Sequence, residues 1–482
     1  MSYKSQEMDL MTKDDDFAKE TDGDQKYINT KEERAFVRKL NWKVLPTIFL
    51  IIFIQFCDKS ALSVAAVLGI MEDANLSGTQ FSWLGSIFYL GYLICQIPNN
   101  YLLQRLPIAR YLGSVLLLWG IVMTLTSLCQ NFAQLAGCRL LLGFFEGVTY
   151  PCVYILLNTL YRRSEQSMCW GFVGLSTSIG TVLGVVVAYG LAHMDGVADM
   201  RAWRWGYIVF GIATILIGAL TFFFLVDDTH HRLLRLTEIE LEIVKERVQD
   251  NCVVRNRTIR SKQILEAIQE PRLYLISFAN LLNSIENGGL VTFSTLFVQG
   301  LGFSNFTSVI LQIPNGVSAA LFVMSAILIA KRFQQNTLTA ILMSIISLLG
   351  CILMIVIPGK SKLIGYYLAW SMTGVSALIQ TLVSNNVSGY TKKVFYNGVN
   401  MMAVTVGNFI GPLMMTENQA PYYTGALIGY IIANIVLIVC LLCVYFIMNK
   451  ENRRRLNQPP EFETDVYLDL TDKQDRNIIY KL

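Results

Sequence analysis

Phe56-Cys57-Asp58-Lys59-Ser60 puts two opposite charges side by side in a run whose other residues are mostly Ile, Phe, Leu, Val and Ala. A charge at the centre of a membrane helix costs roughly 2.5–3.5 kcal/mol on insertion scales. Such a pair is retained where it faces a protein interior or a water-filled cavity. The apolar run around it is long enough to span a bilayer, and similar runs recur near 80–103, 110–130, 137–160, 168–192 and 204–226. After a charged segment at 227–270, six more fall near 271–298, 305–330, 337–357, 362–386, 397–416 and 421–447.

The composition agrees. Of 482 residues, 53% are hydrophobic and 15% charged, with a mean hydropathy of +0.45; soluble domains carry about 25% charged residues. The pattern predicts an all-α polytopic membrane protein. Its parts are a disordered cytosolic tail (1–40), a six-helix bundle (41–226), a cytosolic linker with a surface helix (227–270), a second six-helix bundle (271–448) and a cytosolic tail (449–482). Residues 1–40 are polar and lack the apolar core of a signal peptide.

Charge between the runs sets the expected topology. Arg105, Arg110, Arg162, Arg163, Lys331, Arg332, Lys392, Lys393 and Arg453-Arg454-Arg455 fall on one side; Glu72, Asp73, Asp195, Asp199 and Glu417 fall on the other. Both termini are therefore expected in the cytosol. Asn75-Leu76-Ser77 is then a glycosylation sequon on an outside loop, with Asn75 the acceptor, whereas Asn256-Arg257-Thr258 is on the wrong side. In the linker, Thr237 and Glu240 predict a capping box, and Ile239, Ile243 and Val244 mark an apolar stripe.

Several chemistries are excluded. The ten cysteines are scattered without metal-ligand spacing, and the three histidines form no motif. No nucleophile–base set lies in the spans, so neither enzyme activity, metal nor cofactor is expected. No basic patch interleaved with aromatics suggests nucleic acid.

The fourth run contains Arg139-Leu140-Leu141-Leu142-Gly143-Phe144-Phe145-Glu146-Gly147. Arg139, Gly143 and Gly147 share one helical face, and the glycines admit a close neighbour. Arg139 and Glu146 lie ~10 Å apart along the helix, too far for a simple ion pair. Each needs another partner, either Asp58 or Lys59 or a bound ligand. A charge network locking helices one and four is the structural alternative to a transport role.

These residues and several others resemble the major facilitator superfamily, and within it the fungal anion:cation symporter family near its allantoate permease-like branch. Asp58-Lys59-Ser60 resembles the family's helix-one motif, Ser86-Ile87-Phe88-Tyr89-Leu90-Gly91-Tyr92 its helix-two signature, and Ala202-Trp203-Arg204-Trp205 its entry to helix six. Asn386-Val387-Ser388-Gly389-Tyr390-Thr391-Lys392-Lys393 is similar to the turn after helix ten, and Gly407-Asn408-Phe409-Ile410-Gly411-Pro412 to helix eleven. Two departures stand out. Asn100 and Gln104 replace the usual Gly and Asp of the loop after helix two. Gly180-Thr181-Val182-Leu183-Gly184 lacks the antiporter proline, which favours symport.

The resemblance implies two pseudo-symmetric six-helix bundles with a midplane site, and proton-coupled import of a small organic anion. It implies Asp58 and Glu146 as proton carriers and Lys59 and Arg139 as anion ligands. Burial disfavours the charged form of a carboxyl group, and neutralising it frees the basic partner for an incoming anion. The polar residues Tyr89, Tyr92, Gln96, Asn283 and Glu286 are expected to line the substrate site, with Gly288-Gly289 breaking helix seven into a hinge. Arg105, Arg110 and Lys392 are expected at the inner gate. Ureido acids such as allantoate or ureidosuccinate, or a vitamin carboxylate, are the substrates implied. The expected partners are that anion, protons and the lipid bilayer; the expected state is a monomer in the plasma membrane. The alternative is a nutrient sensor that binds the same anion without moving it.

Overall fold

The computed structural model describes residues 30–103, 105–228, 234–251, 260–457, 470–475 and 477–482. The first half comprises α1 (Lys31–Val67), α2 (Ile70–Asp73), α3 (Gly78–Leu102), α4 (Ile108–Thr126), α5 (Phe132–Glu146), α6 (Thr149–Leu160), α7 (Arg163–Ala192) and α8 (Ala202–Phe224). Two linker helices follow, α9 (Glu238–Asn251) and α10 (Ser261–Ile268). The second half comprises α11 (Pro271–Gly300), α12 (Asn305–Ile310), α13 (Gln312–Phe333), α14 (Asn336–Val356), α15 (Lys362–Ala369), α16 (Met372–Asn386), α17 (Tyr390–Leu413) and α18 (Thr424–Leu456).

Among the described residues, eight segments are individually long and apolar enough to cross a membrane. Four further span positions are filled by α3, α11, the α15–α16 pair and α17. Most of these carry polar side chains within the helix, among them Gln96 and Asn99 on α3, Asn280, Asn283, Glu286 and Asn287 on α11, and Asn400 and Asn408 on α17. Those side chains lower mean hydropathy, and all but Gln96 have hydrogen-bond partners inside the protein, as burial in a bilayer favours.

The packing repeats between halves. In the first, α1 packs on α7, α3 on α5, and α4 on α8; in the second, α11 packs on α17, α13 on α16, and α14 on α18. These are equivalent span pairs, so the halves are related by a pseudo-twofold axis. Across the interface α1 meets α11, α3 meets α17, and α7 meets α13.

Polar contacts between the halves cluster at the end remote from Lys31 and Leu482. Ser63 Oγ lies 2.5 Å from Ser294 Oγ and 2.9 Å from Thr295 Oγ1. Ser82 donates to the Met415 carbonyl at 2.8 Å. Close approach is purchased with small residues: a Cβ on Gly85 would come within 2.6 Å of Thr292 Cγ2 on α11.

Three features depart from the expectations. First, helix α1 starts at Lys31, capped by the Thr30 side chain, so residues 31–40 belong to a helix and not to a tail. Second, the end of the chain is docked. Asn336 N donates to Leu482 O, Asn386 pairs with the Lys481 backbone, and Asn452 with that of Tyr480. Tyr480 is buried between Arg272 and Arg455. Third, α11 runs unbroken through Gly288-Gly289; these glycines instead admit the Asn408 backbone and the Tyr430 hydroxyl.

Thr237 and Glu240 form the reciprocal cap. Ile243 and Val244 are buried against Phe36, but Ile239 is 52% exposed. Arg247 joins Glu33 and Glu165, and Lys39 joins Glu240, so α9 is pinned to the first half. Asn75 is exposed in the turn before α3; Asn256-Arg257-Thr258 and Gln104 lie outside the described residues.

Candidate functional site

Asp58 and Lys59 sit in the last third of α1, where α7 approaches closely because Gly180 and Gly184 present no side chain to Phe53 and Cys57. Across from them is α5, drawn against α3 at Gly143, where a Cβ would collide with the Phe88 carbonyl oxygen. The α5 helix ends at Glu146, and the chain resumes as α6 at Thr149, so the carboxyl projects from a helix break.

The four charged side chains line one cavity, together with Leu62, Gly85, Phe88, Tyr89, Val291 and Thr292. The last two belong to the second half, so the cavity lies between the halves. It offers about 30 Å³, room for one or two waters and too little for an organic anion.

Within it, Lys59 Nζ is 3.2 Å from Glu146 Oε1, and Gln55 Nε2 donates to the same oxygen at 2.9 Å. The Trp119 indole N–H donates to Asp58 Oδ2 at 2.7 Å. Arg139 donates to the Tyr207 hydroxyl at 3.2 Å, and its charge acts on Asp58. Lys59 thus pairs with Glu146, and the charges of both Arg139 and Lys59 act on Asp58. Asp58 and Glu146 are fully buried, while the Lys59 side chain is 26% exposed. Asp58 Oδ1 and Glu146 Oε2 accept no hydrogen bond from the protein. Each acid therefore has one oxygen without a protein donor.

Aromatic rings stand beside both cations. Lys59 Nζ lies 4.9 Å from the Phe56 ring centroid and 6.0 Å from that of Tyr150. Arg139 lies 6.0 Å from that of Phe88. Such placements favour a positive charge by ~0.5–2 kcal/mol each.

The other expected ligands divide. Tyr89 lines the cavity. Tyr92 is buried behind it, close enough for its hydroxyl to act on Lys59. Gln96 lies outside the lining, and its buried Nε2 makes no hydrogen bond. Asn283 and Glu286 are placed elsewhere. Asn283 donates to Ser376 Oγ at 2.7 Å and the Met372 carbonyl at 3.3 Å; Glu286 is buried against α14 and α18. The face of α11 that reaches the cavity carries Val291 and Thr292 instead, because the five residues from Glu286 to Val291 carry the side chain roughly 140° around the helix axis. Gln55, Trp119 and Tyr207 were not anticipated. Of these only Gln55 had a signal, a polar side chain one turn before Asp58.

Among the residues expected at the gate, Arg105 is exposed and stacks over Tyr101 at 4.3 Å, and Arg110 is exposed. Lys392 is fully buried within the second half, 2.8 Å from Glu266, 2.5 Å from Glu270 and 2.7 Å from Asp472. These three carboxylates converge to within 4.8 Å, with Lys392 and Arg272 neutralising them. Lys392 therefore clamps the C-terminal segment, and every ion pair described for it stays within its own half and the linker.

The sequence pattern of the Major Facilitator Superfamily matches residues 48–412. The chain belongs to this superfamily. It is 30% identical over 476 residues to the "Allantoate permease" of Saccharomyces cerevisiae, covering 92% of this chain and 86% of that one. It is also 30% identical over 450 residues to the "Thiamine pathway transporter THI73" of the same organism, with the same coverage. Among solved structures, a bacterial homologue of the human lysosomal transporter Spinster, crystallised inward-facing and unoccupied, superposes with a TM-score of 0.64. The match is 15% identical and covers 86% of this chain and 96% of that one. This superfamily member is therefore a multi-pass membrane transporter of a small molecule, not an enzyme.

Proposed function

We propose that this transporter couples the uptake of a small organic anion to protons by alternating access. The observation that carries the reading is the shared cavity: two acids and two bases, from α1 and α5, face one another between the halves. An unpaired charge in such a site is costly, so the network stays neutral when each acid balances a base. A proton arriving on Glu146 weakens its hold on Lys59, and a proton on Asp58 does the same for Arg139. The released cations then bind the carboxylate of the substrate. Loss of the protons re-forms the internal pairs and expels the anion.

The small cavity volume supports a cycle in which the halves part to load the site. Separation at the end remote from the termini requires breaking the Ser63–Ser294–Thr295 contact and the Ser82–Met415 bond. The basic loops favour both termini in the cytosol, and import from outside places the chain in the plasma membrane. Allantoate and related ureido acids are the first candidates, given the allantoate permease among the relatives.

Uptake into proteoliposomes tests this. Labelled allantoate should accumulate when the outside is more acidic than the lumen, and a protonophore should abolish accumulation. Competition by ureidosuccinate, nicotinate, pantothenate and biotin then ranks the anions. Uptake of any of them that ignores an imposed pH difference contradicts the coupling.

A further inference from the structure

Glu286 is fully buried in α11, outside the cavity that holds Asp58 and Glu146. Its neighbours are uncharged. Oε1 lies 2.7 Å from Ser347 Oγ and 3.3 Å from Cys351 Sγ of α14, and Oε2 lies 2.7 Å from Asn434 Nδ2 of α18. The titratable groups facing it are Cys351 and Tyr430; among the described residues no Lys or Arg acts on it. Asp58, Glu146 and Asp472 each have a cation, and Glu286 does not. Burying a carboxylate with no cation beside it is costly.

The hydrogen positions decide the matter. Ser347 Oγ is also 3.0 Å from the carbonyl oxygen of Ala369, the last residue of α15. A hydroxyl has one proton to donate. If Glu286 were ionised, the serine would face two acceptors and leave one of them opposed to a bare oxygen. A proton on Glu286 Oε1 resolves this: the acid donates to Ser347, and Ser347 donates to Ala369. The two amide hydrogens of Asn434 go to Glu286 Oε2 and to the Tyr430 carbonyl, 3.1 Å away. With the Cys351 thiol donating to Glu286 Oε1, each of these polar hydrogens is then used once. The carbonyl so satisfied lies at the break between α15 and α16, whose other side is held by Ser371 donating to Met343 O at 2.9 Å.

We propose that Glu286 is held in the fold as a neutral carboxylic acid, a positioning residue whose O–H, relayed by Ser347, fixes the break in the tenth span. It does not exchange protons during transport. Glutamine is its near-isostere in this role: the amide donates to Ser347 and accepts from Asn434.

Thermal unfolding of the purified full-length chain tests this without relying on the transport reading. A group neutral in the folded state but ionised in the unfolded one makes stability fall as pH rises above the ordinary carboxylate range. Glu286→Gln removes that penalty. The variant should match or exceed the wild type in Tm at about pH 5 and exceed it further at about pH 8, whereas Glu286→Ala should fall below wild type at both. A Gln variant whose advantage is absent, flat or shrinking with pH overturns the proposal. If that variant does not reach the membrane, infrared spectra of the Asp58→Asn, Glu146→Gln chain provide a second reading. A protonated-carboxyl stretch persisting at about pH 8 supports the proposal, and its absence overturns it.

Discussion

Lys59 and Glu146 form the only ion pair described between α1 and α5, with Nζ 3.2 Å from Oε1. It joins a partly exposed cation to a fully buried acid, and the asymmetry matters. The cation can be offered to a ligand while the acid cannot leave. Lys59→Ala should therefore weaken binding of labelled allantoate by tenfold or more, measured by equilibrium binding in detergent. Lys59→Arg should restore part of it, since charge returns but the point-like ammonium does not. Unchanged affinity in Lys59→Ala removes this residue from the anion site.

Gly143 sets the distance between α5 and α3. A Cβ there meets the Phe88 carbonyl oxygen, which is helix backbone and cannot swing aside. Gly143→Leu should cost ~1–3 kcal/mol or more, as overpacking does, and lower Tm in a thermal-shift assay. Gly137→Ala is the control: nothing lies within 4 Å of its Cβ direction, and its Tm should match or exceed that of wild type.

The C-terminal segment should act as part of the second bundle. Burial pushes the Asp472 carboxyl up, but Arg272 and Lys392 outweigh it and hold the group below the usual carboxylate range. A depressed acid adds stability above its unfolded pKa and loses it as pH falls through the folded value. Asp472→Ala should cost ~3–5 kcal/mol at neutral pH by stranding buried cations. Its penalty relative to wild type should shrink below about pH 4. Melting curves across pH check both points.

Topology has a direct test. Asn75 is exposed, in a turn at the end of the molecule remote from the docked C-terminus. If that end faces outward, the chain made in a eukaryotic secretory system should carry a glycan there. Its removal by an endoglycosidase should shift gel mobility, and Asn75→Gln should abolish the shift.

Much of this site is legible in the sequence because charges in apolar helices have few inexpensive explanations. Asp58, Lys59, Arg139 and Glu146 announce themselves in that way, and so does Glu286. What the sequence does not contain is the direction each one faces. Val291 reaches the cavity and Glu286 does not, although both lie on α11 within five residues, because rotation about a helix axis is set by packing. Trp119 and Tyr207 read as ordinary core residues in apolar runs, yet each gives its polar atom to a charged partner. The final residues read as a polar tail because their partners are remote: Asp472 is 200 positions from Arg272 and 80 from Lys392. Polarity alone cannot separate a solvated tail from one whose charges are paired inside.

The central claim is that the acids of the shared cavity carry the protons while the bases hold the anion. Asp58→Asn and Glu146→Gln, reconstituted separately, should each lose accumulation of labelled allantoate under an imposed pH difference. Each should keep exchange of labelled for unlabelled allantoate at equal concentrations, because exchange needs the moving halves and the anion site but no net proton flow. Full pH-driven accumulation in both variants would contradict the account.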